Sequence, residues 1–343
     1  MTTPAPPDNE IIRLSMQFRS ALEKRDKAAI GRLVRSYQNI YKRLEGNIDR
    51  LMLKIGADAP TTGQVVRLQR YKQLMKQIES ELSDYQVYVK TELEQIGSAG
   101  VDAGMVDARK MINLYADGLG IEAGFNALPK DAIETLLGFL GEDSPLYKRL
   151  NELAPQTALQ VSDAIVEGVG LGQGPRTIAR EITNKLGMAL TDSMRMMRTV
   201  QLWSYRESSR ASYIANNHIV NGWIWHAQLD GSTCMSCVAM HGTTHSLSET
   251  LNDHHNGRCA MIPIVPGLDR EFVVPETGEE WFNKQPESIQ RQMMGGQFHE
   301  AWQGGAFDIK DMTMISSNEV YGNMRVKTPL WKLLGAEPPG YAN

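Results

Sequence analysis

The sequence is poor in the features that define secreted, membrane-spanning and nucleic-acid-coating proteins. Its 343 residues include only three cysteines, all between Cys234 and Cys259, which is too few and too local for a disulfide framework. No apolar run approaches the roughly 18 residues of a membrane span, and residues 1–9 do not resemble a signal peptide. The net charge of -4 argues against a broadly basic surface. We therefore expect a protein without a membrane span, whose thiols are reduced and bind metal.

Hydrophobic periodicity predicts a mainly α protein of the α+β class. Residues 1–9 are Pro-rich and are predicted to be a flexible tail. Across residues 10–98 apolar side chains recur every three or four positions, interrupted by a Gly- and Pro-containing turn at 56–63. This pattern predicts two long helices in an antiparallel, coiled-coil-like hairpin. Residues 99–127, rich in Gly and Ala, are predicted to be a connector with one short helix.

The segment 128–267 is predicted to be helical at first and then to form a small module. Helices are expected at residues 128–141, 146–168, 175–186 and 192–217. Two short strands, Gly222–Ala227 and Met261–Val265, then flank the segment 230–259. Residues 268–343 are predicted to form a C-terminal extension of short elements, with short helices at 286–294, 298–302 and 328–334.

The segment 230–259, which we call the knuckle, has the composition of a metal site. It contains Cys234 and Cys237 in a Cys-x2-Cys pair and, further on, His254 and Cys259, with His255 as an alternative to His254. Two short-spaced pairs of soft and borderline donors are typical of tetrahedral Zn²⁺. Three thiolates and one imidazole would fill the coordination sphere and leave no position for substrate, so the sequence predicts a structural zinc ion.

Three further histidines lie near this segment. His226, His241 and His245 either replace one of the predicted ligands or are surface residues. From spacing alone, the surface interpretation is favoured.

Two metal-dependent enzymes use related patterns. A zinc deaminase is excluded, because Gln228 occupies the position of the catalytic glutamate and Thr233 that of the proline before the first cysteine. An HNH-like nuclease, which would cleave DNA with a bound metal ion, stays open, because the pair Asp253-His254 follows the Cys-x2-Cys. That pattern requires a second Cys-x2-Cys, which the chain lacks.

Residues 24–54 of the first helix carry a local excess of positive charge. The segment contains nine Lys or Arg residues against three acidic ones. Such a stripe is a candidate contact for DNA phosphates, although a solvated helix face is the more common explanation. The hairpin is in addition a candidate for self-association.

The run from Arg198 and Thr199 through WIWHAQLDGSTCMSCVAMHGTTH to HHNGRCAMIPIVP resembles the phage Mu F-like minor head proteins, a family of phage head morphogenesis proteins. The positions in step with the family pattern are Trp225, Asp230, Thr233, Cys234, Cys237, Met240, Gly242 and the stretch 254–259. The overlay favours His254 over His255 as ligand. Val200 departs from the pattern, which has Glu there, and Gly257 stands where the family has the first cysteine of Cys-Arg-Cys.

The resemblance implies a minor head protein of a tailed phage or prophage rather than an enzyme. Such proteins are made in the bacterial host cytoplasm and enter the virion head. Their expected partners are the portal and the capsid or scaffold proteins. The resemblance covers roughly residues 156–335, so it says nothing about the N-terminal hairpin.

Overall fold

The structure is a computed structural model that describes residues 10–119, 124–129, 132–133, 144–254, 257–265, 274–319 and 322–337. Its longer helices are α1 (Glu10–Asp58), α3 (Gln69–Leu119), α4 (Pro145–Gly170) and α5 (Pro175–Ala215), with the single turn α2 (Thr62–Val65) between α1 and α3. Shorter helices follow: α6 (Met235–Met240), α7 (Gly278–Asn283), α8 (Glu287–Met294), α9 (Gly296–Gln303) and α10 (Leu330–Leu333). The predicted tail 1–9, most of the predicted helix 128–141 and His255 lie outside the described residues.

Short strands complete the structure. The strands β1 (Gly222–His226), β2 (Thr244–His245) and β3 (Ala260–Ile264) form an antiparallel sheet in the order β2-β1-β3. A separate hairpin pairs β4 (Thr313–Asn318) with β5 (Gly322–Lys327). The predicted fold class, mainly α with a few short strands towards the C-terminus, is confirmed.

The chain divides into two compact units built from non-contiguous segments. The first, which we call the knuckle unit, contains residues 1–23, 99–137 and 202–343. The second, which we call the helical unit, contains residues 24–98 and 138–201. Both units therefore draw on helices α1, α3 and α5, whose residues are far apart in sequence.

In the helical unit, α1 and α3 pack antiparallel, as the hairpin prediction requires. Arg32 forms an ion pair with Glu92 at 2.6 Å, and Arg43 forms one with Glu81 at 2.5 Å. Residue numbers rise along α1 as those of its partners on α3 fall, which is the signature of antiparallel helices. The helices bury Leu33, Leu44, Leu51, Leu74, Ile78, Leu82 and Val89, all at most 1% exposed.

The predicted connector 99–127 is wrong over residues 99–119, because α3 continues without a break to Leu119. The continuation buries a face of Ala108, Met111, Ile112 and Tyr115 in the core of the knuckle unit. Glycine in this stretch serves packing rather than flexibility. A Cβ at Gly104 would lie 2.3 Å from the carbonyl oxygen of Tyr205 on α5, so only glycine allows the two backbones to approach this closely.

The predicted helices 175–186 and 192–217 are likewise one helix, α5. The stretch between them contains no proline, and a Cβ at Gly187 would meet nothing within 4 Å. Leu186, Ala189 and Ser193 are all buried at helical spacing across the predicted break. A single glycine at an uncrowded position does not end a helix whose buried face is continuous.

The knuckle unit has two apolar cores on either side of α6. The first surrounds the three-stranded sheet and includes Ile11 and Phe18 of α1 together with Trp223 and Trp225 of β1. The second contains Met235 and Val238 of α6 and the buried side chains of the C-terminal elements, among them Phe282, Met294, Phe307, Ile309 and Met312. The C-terminal extension is therefore packed onto α6. Its helices α8 to α10 were predicted, whereas α7 and the β4–β5 hairpin were not.

Two close contacts fix this packing. A Cβ at Gly278 would lie 1.8 Å from the carbonyl oxygen of Val238, so α7 begins against the backbone of α6. The hydroxyls of Ser236 and Thr313 are 2.8 Å apart, which joins α6 to β4. Across the described residues, the helices contain no stretch with the length and apolar character of a membrane-spanning segment.

Replacing Gly104 with alanine should destabilise the knuckle unit. The new methyl group would collide with the Tyr205 carbonyl and the Ser208 hydroxyl, and relieving that clash should cost about 1–3 kcal/mol of unfolding free energy. Chemical denaturation followed by circular dichroism measures this. Gly46→Ala, at an exposed helical position with nothing within 4 Å, is the matched control and should gain about 0.5–1 kcal/mol. Equal stability of Gly104→Ala and wild type would contradict the close packing.

Candidate metal centre

A single helical turn brings the two cysteines of the Cys-x2-Cys pair together. Cys234 is the N-cap of α6, and its Sγ accepts a hydrogen bond from the backbone N–H of Cys237. A cap residue and the third residue of the following turn lie on one side of the helix start. The two Sγ atoms are consequently 3.2 Å apart.

His254, in the loop that follows, brings its side chain close to both cysteines of this turn. Its Nε2 lies 3.3 Å from Cys234 Sγ and 3.6 Å from Cys237 Sγ. These three side chains form one group whose ligand atoms all lie within 4.8 Å of one another. The structure thus places His254 beside the cysteine pair, whereas the alternative ligand His255 lies outside the described residues.

Cys259 immediately precedes β3 and completes the cluster from the sheet side. With Cys237 and Asp253 it forms a second group of ligand atoms within 4.8 Å of one another. Cys237 belongs to both groups and therefore lies at the centre of five donors. All four predicted residues, Cys234, Cys237, His254 and Cys259, meet in this region, and Asp253 joins them.

The carboxylate of Asp253 organises the returning loop. The side chain is fully buried, and Oδ1 accepts the backbone N–H of His254 at 2.8 Å. Oδ2 accepts the backbone N–H of Cys259 at 3.2 Å, so one carboxylate holds the backbone of both predicted loop ligands. Cys237 Sγ lies 3.5 Å from Oδ1, which extends the contact to α6.

Arg206 of α5 neutralises this carboxylate. Its Nη2 donates to Asp253 Oδ2 at 2.9 Å and to the carbonyl oxygens of Gly257 and Cys259, each at 3.0 Å. The Arg206 side chain is 8% exposed, so the ion pair is shielded from solvent. A buried carboxylate is stable as an anion only with such a partner.

Glycine is the only residue type that fits at position 257 beside the Asp253 carboxylate. A Cβ built there would lie 1.8 Å from Asp253 Oδ2 and 2.0 Å from its Cγ. The carboxylate thus occupies the space that a side chain at residue 257 would need. This explains in steric terms why the cysteine of the resembling family pattern is absent here.

The electrostatics of the cluster shift the pKa of Cys234 down and that of His254 up. The hydrogen bond between the Cys234 and Cys237 side chains, assisted by His254, lowers the pKa of Cys234 to about 5 against the opposing effect of burial. The hydrogen bond to Cys234 raises the pKa of His254. Contact with the sulfur atoms of Cys234 and Cys259, together with burial, raises the pKa of Cys237. Since a metal ion replaces the protons on these groups, the cluster is chemically suited to a cation with soft ligands.

The distances fit a single metal ion. Zn–S bonds of about 2.3 Å and Zn–N bonds of about 2.0 Å imply ligand–ligand separations of about 3.5–3.8 Å around a tetrahedron. The separations of 3.2–3.6 Å among Cys234, Cys237 and His254 are close to these values. Cys234, Cys237 and His254 are therefore spaced like ligands of one metal ion, and Cys259 lies within 4.8 Å of Cys237 and Asp253.

The other histidines have different surroundings. His226 and His241 are buried rather than on the surface, at 7% and 6% exposure, and their rings are 5.2 Å apart. His241 Nδ1 accepts the backbone N–H of Ala227, so this atom serves the backbone of the sheet. His245 stacks on Trp223 with ring centroids 4.2 Å apart. Among the described residues, neither metal-ligand group includes any of these three histidines.

Sequence reasoning did not find Arg206 or assign Asp253 to the metal cluster. Asp253 had a visible signal, since it precedes His254, but it was interpreted only as part of a nuclease pattern. Arg206 had none, because one arginine in a polar helix looks like a solvated residue. In the structure the Asp253 carboxylate faces Arg206 and the His254 Nε2 faces the cysteines.

The fold and the cluster define a class: a mainly helical protein with a small Cys/His knuckle suited to a metal ion. Residues 159–262 match the family described as Phage Mu protein F like protein. The match confirms, over this region of the chain, the resemblance to phage head morphogenesis proteins that the sequence indicated. It spans less than a third of the chain and includes all four predicted ligands. No curated protein and no solved structure matches the chain.

Gly257→Ala should disrupt the loop that carries His254 and Cys259. The methyl group would displace the Asp253 carboxylate from Arg206 and leave a buried arginine without its anion. We expect a loss of about 2–4 kcal/mol in unfolding free energy. Thermal and chemical unfolding measure it, with Gly231→Ala, at an uncrowded position in the same segment, as control. A Gly257→Ala protein as stable as wild type would show that the carboxylate does not occupy this space.

Proposed function

We propose that the chain is a minor capsid protein of a tailed phage or prophage, which acts in procapsid assembly at or near the portal. One observation carries the proposal: the segment matched to the phage Mu protein F-like family is the segment in which the thiols and the imidazole converge. The expected partners are the portal and the capsid or scaffold proteins. Assembly would take place in the host cytoplasm, and the protein would remain in the head.

The metal of this proposal is a structural Zn²⁺ held by Cys234, Cys237, His254 and Cys259. Asp253 is assigned a supporting role, because Arg206 and two backbone amides already engage its oxygens. Sulfur is also the donor that Zn²⁺ prefers in structural sites. Hydrogen bonds from outside the coordination sphere commonly orient the ligands, and Asp253 does this for both loop residues.

A structural role fits the location of the cluster between two cores. Cys237 and Met240 belong to the core around the sheet, whereas Met235 and Val238 belong to the core of the C-terminal elements. A metal ion at the start of α6 would fix this helix and, through it, both cores. The ion would supply cross-linking energy to a six-residue helix that is too short to be stable alone.

Contact with DNA through residues 24–54 and self-association through the hairpin stay predictions. Within the helical unit Arg32 and Arg43 already form ion pairs, and Lys54 pairs with Asp58. Part of the positive charge is therefore neutralised within the chain. The remaining arginines and lysines would produce DNA binding that weakens steeply with salt.

The purified full-length protein should contain about one zinc ion per chain by elemental analysis. Cys234→Ser should remove the ion and lower the unfolding free energy by several kcal/mol, because metal binding and folding are coupled. Ser248→Ala, an exposed position in the same segment, should change neither quantity. A metal-free wild-type protein together with a silent Cys234→Ser change would refute the zinc site.

Interrupting the gene in its phage should stop the formation of DNA-filled heads, and the protein should be found in purified procapsids with the portal. Electron microscopy of lysates and mass spectrometry of procapsids test this. Normal particles without the protein would contradict the assembly role. Plasmid cleavage with Mg²⁺ or Mn²⁺ that is lost in the His254→Ala/His255→Ala double variant would establish the nuclease alternative instead.

A further inference from the structure

A buried arginine of the N-terminal helix lies beside the metal cluster. Arg19 of α1 is 8% exposed, and its neighbour Phe18 belongs to the core that contains Cys237 and Cys259. It is more than 200 positions away from these cysteines in sequence and lies outside the matched region 159–262. Nothing in the sequence connects the two.

The contacts of Arg19 are with neutral groups. Nη2 lies 3.3 Å from His226 Nδ1 and 3.4 Å from the His226 carbonyl oxygen, and Nη1 donates to Gln228 Oε1 at 3.4 Å. Burial holds the pKa of His226 well below its usual range, so this ring is uncharged. Nε is buried and has no hydrogen-bond partner.

A guanidinium buried in this way needs an anion nearby. Arginine keeps its charge in proteins, and burying an unpaired charge is costly. Among the residues that the structure describes, no carboxylate forms an ion pair with Arg19. Burial lowers the pKa of Arg19, and negative charge at Cys259 or Glu23 opposes this shift.

The geometry of the sheet places Cys259 close to this arginine. His226, which Arg19 contacts, pairs with Ala260 across β1 and β3, and Ala260 follows Cys259 directly. The two other arginines of the region already have carboxylate partners. Arg206 pairs with Asp253 at 2.9 Å and Arg258 pairs with Asp230 at 2.8 Å.

With zinc bound, the metal centre is itself the anion that can pair with Arg19. A zinc ion with three thiolates and a neutral imidazole carries one net negative charge. We propose that Arg19 is the counter-cation of this metal–thiolate centre and that the N-terminal helix is thereby part of the metal site. The inference rests on the proposed zinc site, and it makes Arg19 a positioning and charge-balancing residue rather than a ligand.

Zinc affinity of full-length variants, measured by competition with a chelator, tests the inference. Arg19→Gln and Arg19→Met, which remove the charge, should bind Zn²⁺ at least about tenfold more weakly than wild type. Arg19→Lys keeps the charge, so its zinc affinity should stay within about threefold of the wild-type value. Arg13→Gln, at an exposed position of the same helix, is the matched control and should bind normally.

Circular dichroism and unfolding of the metal-free proteins separate the charge effect from general destabilisation. If Arg19 balances the charge of the zinc centre, zinc should raise the unfolding temperature of Arg19→Gln less than that of wild type. Wild-type affinity in both neutral variants, or an equal loss in Arg19→Lys and Arg19→Gln, would overturn the role of Arg19 and leave the zinc site intact. Failure of wild type to bind zinc would overturn the proposed site, and the inference with it.

Discussion

The fully buried carboxylate of Asp253 is the constraint around which the knuckle is built. It accepts the backbone amides of His254 and Cys259 and pairs with Arg206 of α5. One anion therefore sets the path of the loop, the position of both loop donors and the attachment of the loop to a long helix. The glycine at residue 257 follows from the same contact, because the carboxylate fills the space where its side chain would be.

The region matched to the phage Mu protein F-like family does not contain its whole core. The core around the sheet includes Ile11 and Phe18 of α1 and Ile112 and Tyr115 of α3, all outside residues 159–262. On the other side of α6, the C-terminal elements supply most of the second core. The Cys/His knuckle is thus part of a larger folded unit, in contrast to small zinc modules that fold independently.

Long periodic segments were the most predictable part of the fold. Helices α1 and α4 lie close to their predicted ranges, because a continuous buried stripe with clear end signals determines a helix locally. The error at 99–119 arose from a Gly- and Ala-rich stretch interpreted as a connector, and α5 was wrongly divided between residues 186 and 192. Gly104 permits a close approach between helices, a property of the partner surface that no local pattern encodes.

In the metal cluster too, the sequence reveals what depends on local pattern but not what depends on tertiary contacts. Cys234, Cys237 and Cys259 could be selected as candidates by residue type and spacing, since metal ligands come from a short list. The choice of His254 over His255 came from the family resemblance. Arg19, Arg206 and the supporting role of Asp253 depend on tertiary contacts between segments far apart in sequence. Charge balance in a buried site is a property of the folded chain, so these residues became visible only in the structure.

The central claim is that this cluster binds zinc through three sulfur atoms and one nitrogen, with Asp253 outside the coordination sphere. X-ray absorption spectroscopy of the purified, full-length protein at the zinc edge tests it most directly. The account predicts a four-coordinate shell of three sulfurs at about 2.3 Å and one nitrogen at about 2.0 Å. A shell with two sulfurs and an oxygen ligand, or a protein that contains no zinc, would contradict it.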